Sequence, residues 1–217
     1  METVGNHPEK RTYSSHTISV MELSADYWNN RYKQEDIGWD LGQVSPPLKA
    51  YFDQLPEAYK SKSILIPGGG HAYEAEYLHH LGFKKVFVVD VSQTALAQFK
   101  ARVTNFPQAH LLHQNFFELE AKFDLIIEQT FFCALDPTLR PQYARKMNAL
   151  LENNGELLGL LFNFPLASSQ PPFGGDVGEY RSYFEPYFTI HTLAPCYNSI
   201  AARAGKELFF RCSKQAV

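Results

Sequence analysis

The sequence predicts an α/β fold: a seven-stranded, mostly parallel sheet with helices on both faces and an antiparallel pair of strands at one edge. Two observations support this prediction. From residue 63 onward, short apolar segments alternate with segments of helical spacing, which is typical of a parallel sheet covered on both faces. The last two apolar segments are joined without a helix, so we expect them to form the antiparallel edge pair.

We expect one domain, residues 21–217, preceded by a flexible arm at residues 1–20. The arm is polar and has no steady periodicity. The domain begins with a helix capped by Ser24, in which aromatic residues recur at near-helical spacing. A loop with two glycines leads to a second helix, which opens at Pro46 and extends to about Leu55.

The remaining elements are short and alternate along the chain. Apolar composition and turn signals predict strands at 63–66, 85–89, 109–113, 123–127, 156–162, 187–194 and 206–212. Helical spacing between them predicts helices at 71–81, 92–103 and 138–151. The sequence Asn153-Asn154-Gly155 predicts a turn between the last of these helices and the next strand.

Composition excludes several classes of partner. With 45% hydrophobic and 20% charged residues, the chain has the balance of a soluble globular protein. A net charge of −3 and the lack of a basic stripe argue against nucleic acid, and no apolar run is long enough to span a membrane. The three cysteines are widely spaced and no signal peptide is evident, which favours a cytoplasmic protein. We expect a monomer.

The most informative motif is a glycine turn with a carboxylate at the end of the next strand. Strand 63–66 leads into Gly68-Gly69-Gly70, and the next strand ends at Asp90. In nucleoside-binding α/β proteins such a turn brings backbone N–H groups to the ligand, and the acid accepts hydrogen bonds from ribose hydroxyls. The motif therefore predicts a nucleoside site; the alternative is a plain turn.

Two common nucleotide sites fit this turn poorly. A dinucleotide-binding turn needs a small residue where this chain has Tyr73, because the helix and the strand pack closely there. No Gly-Lys-Ser/Thr sequence comes after the glycines, which excludes a phosphate-cradling P-loop.

The tips of the next two strands add polar and aromatic groups. Asn115 and Phe116 come after the third strand and suit adenine, since an amide can bond its amino group and a ring can cover its face. Glu128 and Gln129 lie at the end of the fourth strand. A ligand with ribose, adenine and an amino-acid tail would meet all these groups, which indicates S-adenosylmethionine.

The chain resembles the thiopurine S-methyltransferase family, in particular its halide/thiol methyltransferase branch. The resemblance runs from about Ala25 to Arg211, and its motifs keep their order and spacing. The motifs are Trp28, Tyr32, Trp39-Asp40-Leu41-Gly42, the glycine turn 66–74, Val89-Asp90-Val91-Ser92, the segment 123–137, Arg140-Pro141, Asn154-Gly155-Glu156-Leu157, Pro171-Pro172-Phe173 and Gly205-Lys206-Glu207-Leu208.

The resemblance implies a Rossmann-like methyltransferase fold in which an aromatic helical lid, residues 21–56, closes over S-adenosylmethionine. It implies that the cofactor contacts are Trp28, Tyr32, Trp39, Gly68, Gly70, Asp90, Val91, Asn115, Phe116, Glu128 and Gln129.

The family's acceptors imply a simple chemistry. Methyl transfer from a sulfonium to a small soft nucleophile (a thiol, hydrosulfide, halide or thiopurine) is an in-line displacement. An acceptor that carries its own negative charge, such as a thiolate or a halide, needs no strong base. The protein has to align the two reactants and exclude water, which an aromatic pocket does well. We expect Trp39, Phe131, Phe132 and Phe173 to form the acceptor wall, with a plain core role as the alternative for Phe131 and Phe132.

No residue is assigned as a catalytic base or a metal ligand. Tyr27, His71 or a water could deprotonate a neutral thiol. Histidines, cysteines and acids do not have the spacing of a zinc site, and Cys133 is expected to be a small buried residue. We expect Arg140 to face solvent, whereas Arg203 could reach an anionic acceptor.

Two other functions remain open. A small-molecule O- or N-methyltransferase would place a polar base near the pocket. A non-catalytic nucleotide-binding Rossmann-like domain would bind NAD rather than S-adenosylmethionine.

Overall fold

The computed structural model describes residues 23–166 and 169–215, so the arm predicted at residues 1–20 lies outside the described residues. The described chain forms a seven-stranded sheet in the order β3-β2-β1-β4-β5-β7-β6. The strands are β1 (Ser63–Pro67), β2 (Lys85–Asp90), β3 (Leu111–His113), β4 (Phe123–Gln129), β5 (Leu151–Phe162), β6 (Phe188–Pro195) and β7 (Glu207–Lys214). Neighbouring strands pair in parallel, except that β7 runs antiparallel to β5 and β6. The predicted sheet and edge pair are confirmed.

Helices cover both faces of this sheet. They are α1 (Ala25–Lys33), α2 (Pro46–Phe52), α3 (Tyr73–His80), α4 (Gln93–Arg102), α5 (Arg140–Leu150) and α6 (Val177–Phe184). One apolar cluster joins the sheet to α2, α3 and α4, and a second joins it to α5 and α6. Strand β1 serves both clusters, because Ile64 and Ile66 point to one face and Leu65 to the other. In the described part of the chain, none of the helices is long and apolar enough to cross a membrane.

The order of the strands fixes where a ligand can bind. The chain starts the sheet at β1, adds β2 and β3 on one side, and then crosses to place β4 on the other side. In such sheets a crevice opens at the carboxyl ends of the two strands where the order reverses. Here these are the ends of β1 and β4, at Pro67 and Gln129.

Helix α6 is missing from the predicted elements. It begins after Asp176, whose side chain accepts a hydrogen bond from the backbone N–H of Glu179 at 2.9 Å. It buries Tyr180 and Phe184, which lie one turn apart on the same face. The helix has eight residues, too few for hydrophobic periodicity to distinguish it from a loop.

The predicted turn at Asn153-Asn154-Gly155 is wrong, because strand β5 already begins at Leu151. Leu151 pairs with Phe123 and Glu156 pairs with Leu125, so the residues between them form a bulge in β5. Asn154 has a φ of +62°, a conformation that asparagine tolerates better than most residues. The signal for a positive φ was present, but it marks a bulge rather than a turn.

The expectation that Arg140 faces solvent is also wrong. Its side chain is fully buried and lies over the ring of Phe132, 4.7 Å from the ring centroid. The guanidinium donates hydrogen bonds to a carboxylate oxygen of Glu179 at 2.7 Å and to the carbonyl of Gly174 at 2.8 Å. Arg140 therefore ties the start of α5 to α6 and to the segment that precedes it.

Candidate active site

A cavity of about 860 Å³ lies at the carboxyl ends of the parallel strands. Most of its wall comes from three regions: the lid (residues 23–56), the tips of β1, β2 and β3, and the segments that come after β4 and β5; Arg203, before β7, completes it. This volume is in the range of small-molecule and cofactor sites. The lining is mainly apolar and aromatic, and polar groups are concentrated at the strand tips.

The glycine turn and Asp90 form the most tightly ordered part of the wall. The Asp90 carboxylate accepts hydrogen bonds from the backbone N–H of Gly70 at 2.8 Å and from that of Ser92 at 2.7 Å. Burial raises the pKa of Asp90, and the N–H groups of Ser92 and Gly70 oppose that shift. Each carboxylate oxygen keeps a second lone pair, which a ribose hydroxyl in the cavity can use.

Side chains are excluded at two glycines of the turn. A Cβ on Gly68 would lie 2.1 Å from Cδ2 of Phe131, and a Cβ on Gly70 would lie 2.2 Å from the hydroxyl of Tyr32. Both glycines also have positive φ values, of +55° and +53°. The turn thus allows one aromatic ring from the lid and one from the segment after β4 to lie directly on the backbone.

Aromatic rings of the lid cover the cavity. Trp39 lies between Trp28 and Tyr32, in edge-to-face contacts with centroid distances of 5.5 and 5.9 Å. The guanidinium of Arg31 lies 4.8 Å from the Trp39 centroid. Burial, followed by the nearby Asp90 carboxylate, raises the pKa of Tyr32, so its hydroxyl stays protonated at neutral pH.

The helix α1 is docked on the start of α4 through Asn29. Ser24 caps α1 by accepting a hydrogen bond from the backbone N–H of Tyr27. On the next turn, the side-chain oxygen of Asn29 accepts hydrogen bonds from the Ser92 hydroxyl at 3.0 Å and the Thr94 N–H at 3.1 Å. The same Ser92 donates its backbone N–H to Asp90, so the lid and Asp90 share one anchor.

The loop after α1 is attached to the rest of the chain at two further points. Asp40 contacts Nδ1 of His71 in the glycine turn, and Nε2 of the same ring lies 3.0 Å from the side-chain oxygen of Gln98. The guanidinium of Arg203 donates a 2.6 Å hydrogen bond to the carbonyl of Trp39. These contacts hold Trp39 over the cavity.

The structure brings most of the predicted site residues to this cavity. Its wall includes Trp28, Tyr32, Trp39, Gly68, Asp90, Val91, Asn115, Phe116 and Phe131. Gly70 and Gln129 line an adjoining small cavity of about 50 Å³ between the glycine turn and the lid. Glu128, Phe132 and Phe173 are buried and line neither cavity. Adjacent residues of one turn therefore differ in placement: Phe131 faces the cavity, whereas Phe132 faces the core.

Several wall residues are not among the predicted site residues, although Leu135 and the pair Pro171-Pro172 lie in motifs of the resemblance. They are His113, Gln114, Leu135, Leu139, Phe162 and Pro171-Pro172. Their positions depend on loops whose path the sequence pattern does not fix. Arg203 was considered as an anion contact, and the structure places it, largely buried, in the cavity wall. Among the described residues, no group of three or more histidines, cysteines or acids could hold a metal ion.

The fold and the cavity together have the arrangement expected of a nucleoside-binding α/β protein. A family model described as thiopurine S-methyltransferase matches residues 23–208. A probable thiol methyltransferase 2 of Arabidopsis thaliana is 30% identical, covering 91% of this chain and 88% of its own length. A thiocyanate methyltransferase 1 of Arabidopsis thaliana is 30% identical, covering 86% of this chain and 84% of its own length.

The fold has the same class of relatives. The crystal structure of the Burkholderia thailandensis 1,6-didemethyltoxoflavin-N1-methyltransferase, with its substrate and S-adenosylhomocysteine bound, superposes with a TM-score of 0.73 at 14% identity. The superposition covers 96% of this chain and 94% of that one. The chain belongs to the thiopurine S-methyltransferase family. It is a methyltransferase that acts on a small molecule, and S-adenosylmethionine is its methyl donor.

Proposed function

We propose that this enzyme methylates a small, soft and anionic nucleophile (a thiolate, hydrosulfide, halide or thiopurine). We further propose that the predicted residues in the cavity wall hold S-adenosylmethionine and the acceptor. The observation that carries this proposal is the cavity itself, in which an acid, an amide and an aromatic lid converge at the carboxyl ends of the strands. The residues present fit the donor, because its ribose, its adenine and its sulfonium each find a matching group.

The donor end of the cavity is built from the strand tips. Asp90 suits the ribose hydroxyls, and Asn115 with Phe116 suits adenine. Trp28 and Trp39 present aromatic rings to the cavity, and ring faces attract a cation. S-adenosylmethionine supplies a methyl group that its sulfonium charge has already activated. The residues of the cavity therefore have to align the donor with the acceptor and to exclude water.

Among the described residues the wall offers few candidate bases, and its one histidine, His113, lies at the tip of β3 with the donor groups. The carboxylates of the wall are engaged: Asp36 pairs with an arginine of α1, Asp136 caps the turn after it, and Asp90 binds two N–H groups. A ring nitrogen of His113 lies 3.1 Å from a backbone carbonyl. Burial raises the pKa of Cys133, so it is a poor base and a poor nucleophile. This arrangement favours an acceptor that arrives deprotonated.

Arg203 offers a second argument for an anionic acceptor. Its guanidinium contacts Glu207 at 3.2 Å and the Trp39 carbonyl, and it lines the cavity. Because Glu207 balances its charge, the guanidinium offers an anion hydrogen-bond donors rather than a net positive charge. The O- or N-methyltransferase alternative needs a free base at the acceptor, and the engaged carboxylates of the wall argue against it.

We also propose that the protein is cytoplasmic and monomeric and binds no nucleic acid. The three cysteines are free, two of them buried, which suits a reducing compartment. The net charge of −3 argues against nucleic acid. Light scattering after gel filtration tests the monomer directly.

Calorimetric titration with S-adenosylhomocysteine tests the donor site. Wild type should bind, and Asp90→Ala should lose at least about 100-fold in affinity, because two hydrogen bonds to a charged group are removed. Asp53→Ala, an exposed carboxylate at the end of α2 and outside the cavity, is the matched control and should bind within about twofold of wild type. Binding of NAD but not of S-adenosylhomocysteine by the wild-type protein would contradict the proposal.

An acceptor screen on the wild-type enzyme is the second test. Hydrosulfide, iodide and aryl thiols should be methylated, and a catechol and a primary amine serve as controls for O- and N-transfer. A rate that stays constant as pH rises past the pKa of the aryl thiol would contradict the requirement for an anionic acceptor. Preference for the catechol or the amine would favour the alternative activity.

A further inference from the structure

Glu128 is a buried acid at the end of β4 that contacts no part of the cavity. One oxygen of its carboxylate accepts hydrogen bonds from the backbone N–H groups of Phe131 at 2.8 Å and Phe132 at 2.9 Å. The other oxygen accepts a hydrogen bond from the hydroxyl of Tyr143 on α5. The carboxylate thus satisfies three donors behind the cavity wall, and it presents no charge to the ligand.

The turn that Glu128 binds is strained. Thr130 has a φ of +59°, which is unfavourable for a β-branched residue and persists only where surrounding contacts enforce it. The next two N–H groups have no other partner in a strand or helix, and leaving them unpaired in the interior would be costly. The Glu128 carboxylate supplies the contacts that hold this conformation.

The strained turn sets the position of the Phe131 ring. This ring lies on Gly68, where a Cβ would be 2.1 Å from it, and makes an edge contact with Phe116 at a centroid distance of 5.2 Å. It also lines the cavity. The Phe131 ring therefore contacts both the glycine turn and Phe116, the residue proposed to cover adenine, and it borders the space for the acceptor. A shift of the turn after β4 would move this part of the wall between donor and acceptor.

We propose that Glu128 is a positioning residue for methyl transfer, which acts by fixing the turn after β4 and thereby the Phe131 ring. The proposal rests on the proposed function and gives Glu128 a different role from the cofactor contact that the family resemblance implies. In this role Glu128 acts through the geometry of the hydrogen bonds that it accepts, and its negative charge is not required. Misplacement of reacting groups by about 1 Å can cost about 100-fold in rate.

Three variants separate geometry from charge. Glu128→Gln keeps an oxygen for both N–H groups and can donate its amide N–H to the Tyr143 oxygen, so kcat should stay within about threefold of wild type. Glu128→Ala and the nearly isosteric Glu128→Met leave the N–H groups unpaired, and their kcat should fall at least about 30-fold. Their affinity for S-adenosylhomocysteine should change less than about threefold, unlike that of Asp90→Ala.

A double-mutant cycle tests whether the effect passes through the ring. In a Phe131→Ala background, Glu128→Ala should lower kcat by less than about threefold, because the ring it positions is absent. Amide hydrogen exchange gives a readout independent of the acceptor: the N–H groups of Phe131 and Phe132 should be protected in wild type and Glu128→Gln, and unprotected in Glu128→Met.

The outcomes distinguish this proposal from the proposed function. If wild type fails to bind S-adenosylhomocysteine, the function itself is wrong. If wild type binds and turns over, a Glu128→Gln enzyme that loses more than about tenfold in kcat overturns the positioning role, as does a fully additive cycle. Loss of S-adenosylhomocysteine affinity in Glu128→Gln would make Glu128 a cofactor contact instead. If neither Glu128→Ala nor Glu128→Met folds, the kcat of Glu128→Gln, judged by the same limits, decides whether the positioning role stands.

Discussion

Asp90 and Glu128 are both buried acids at the ends of parallel strands, and burial raises the pKa of each. Their surroundings differ because the chain takes a different path after each strand. After β2 the chain enters α4, and Asp90 faces the cavity with one unused lone pair on each carboxylate oxygen. After β4 the positive φ of Thr130 turns two N–H groups onto Glu128. Both carboxylates thus bind backbone N–H groups, but of the two only Asp90 also lines the cavity.

The titration of Glu128 should appear in the pH dependence of folding stability. Burial raises its pKa in the folded protein to about 7, above its ordinary value of 4.5, so between these values the folded state holds a proton that the unfolded state has lost. This contribution is complete below about pH 4.5 and is lost as pH rises through 7. From pH 5 to pH 8, wild type should therefore lose about 2 to 3 kcal/mol relative to Glu128→Gln.

Urea unfolding of both proteins at the two pH values measures this difference, and all other titrating groups are common to both. The titratable groups nearest to the carboxylate, Tyr143 and Cys133, have pKa values that burial raises, so they stay protonated over this range. A stability difference that is the same at pH 5 and pH 8 would show that Glu128 does not titrate in this window.

The sequence predicts those site residues whose position depends only on the fold. Gly68, Asp90 and Asn115 lie at or just after the ends of parallel strands, and parallel strands end at one edge of the sheet, so their place at the cavity was foreseeable. Phe132 and Phe173 lie in irregular segments and proved to be buried outside the cavity. Side-chain direction in such segments depends on individual φ and ψ values, which no periodicity encodes.

At the scale of elements, α5 and α6 are joined by a buried ion pair. The Arg140 side chain is fully buried, while that of Glu179 is 21% exposed. A guanidinium without its partner in this position would be desolvated and uncompensated. The arginine also carries a buried Nε with no hydrogen-bond partner in the described structure, so it depends on the contacts that it does make.

Glu179→Ala should destabilise the protein by about 3 kcal/mol, because it leaves the Arg140 charge buried without a counter-charge. The matched control is Glu185→Ala at the end of the same helix, which removes an exposed pair with Arg181 and should cost less than about 1 kcal/mol. Thermal or urea unfolding measures both. Equal costs for the two variants would mean that burial adds nothing to the pair.

Elements were predictable where their period extends over enough residues. The strands β1, β2 and β4 and the helices α4 and α5 have long apolar patterns, and each appears within a few residues of the predicted position. Helix α6 has two buried aromatics and a capping acid, a signal too short for a window of helical length. The early start of β5 was missed because its bulge interrupts the strand pattern.

At the scale of the whole molecule, the site exists only where three distant parts of the chain meet. The lid contributes both tryptophans, the strand tips contribute the polar groups, and the segments after β4 and β5 contribute the far wall. The lid is held by the start of α4, by His71 of the glycine turn and by Arg203 in the segment before β7. Its docking is therefore coupled to the same residues that form the cavity, and release of a bound nucleoside requires some of these contacts to break.

The contact between Asp40 and His71 should control how fast the lid opens. Both side chains are largely buried, and Asp40→Asn removes the charge while keeping the oxygen that binds the backbone N–H of Gly42. Loss of a charged hydrogen bond of this kind should speed release of S-adenosylhomocysteine about tenfold. Because Trp28 and Trp39 are the two tryptophans of the chain and both line the cavity, stopped-flow fluorescence reports on the lid directly.

The control for this experiment is Asp53→Asn, which breaks an exposed pair with Lys49 on α2, also within the lid but away from the cavity. Its release rate should equal that of wild type. If Asp40→Asn releases the ligand no faster than the control, the lid opens without breaking its contact to the glycine turn. The rate would then be set at another anchor, of which the Arg203 contact to the Trp39 carbonyl is the next to test.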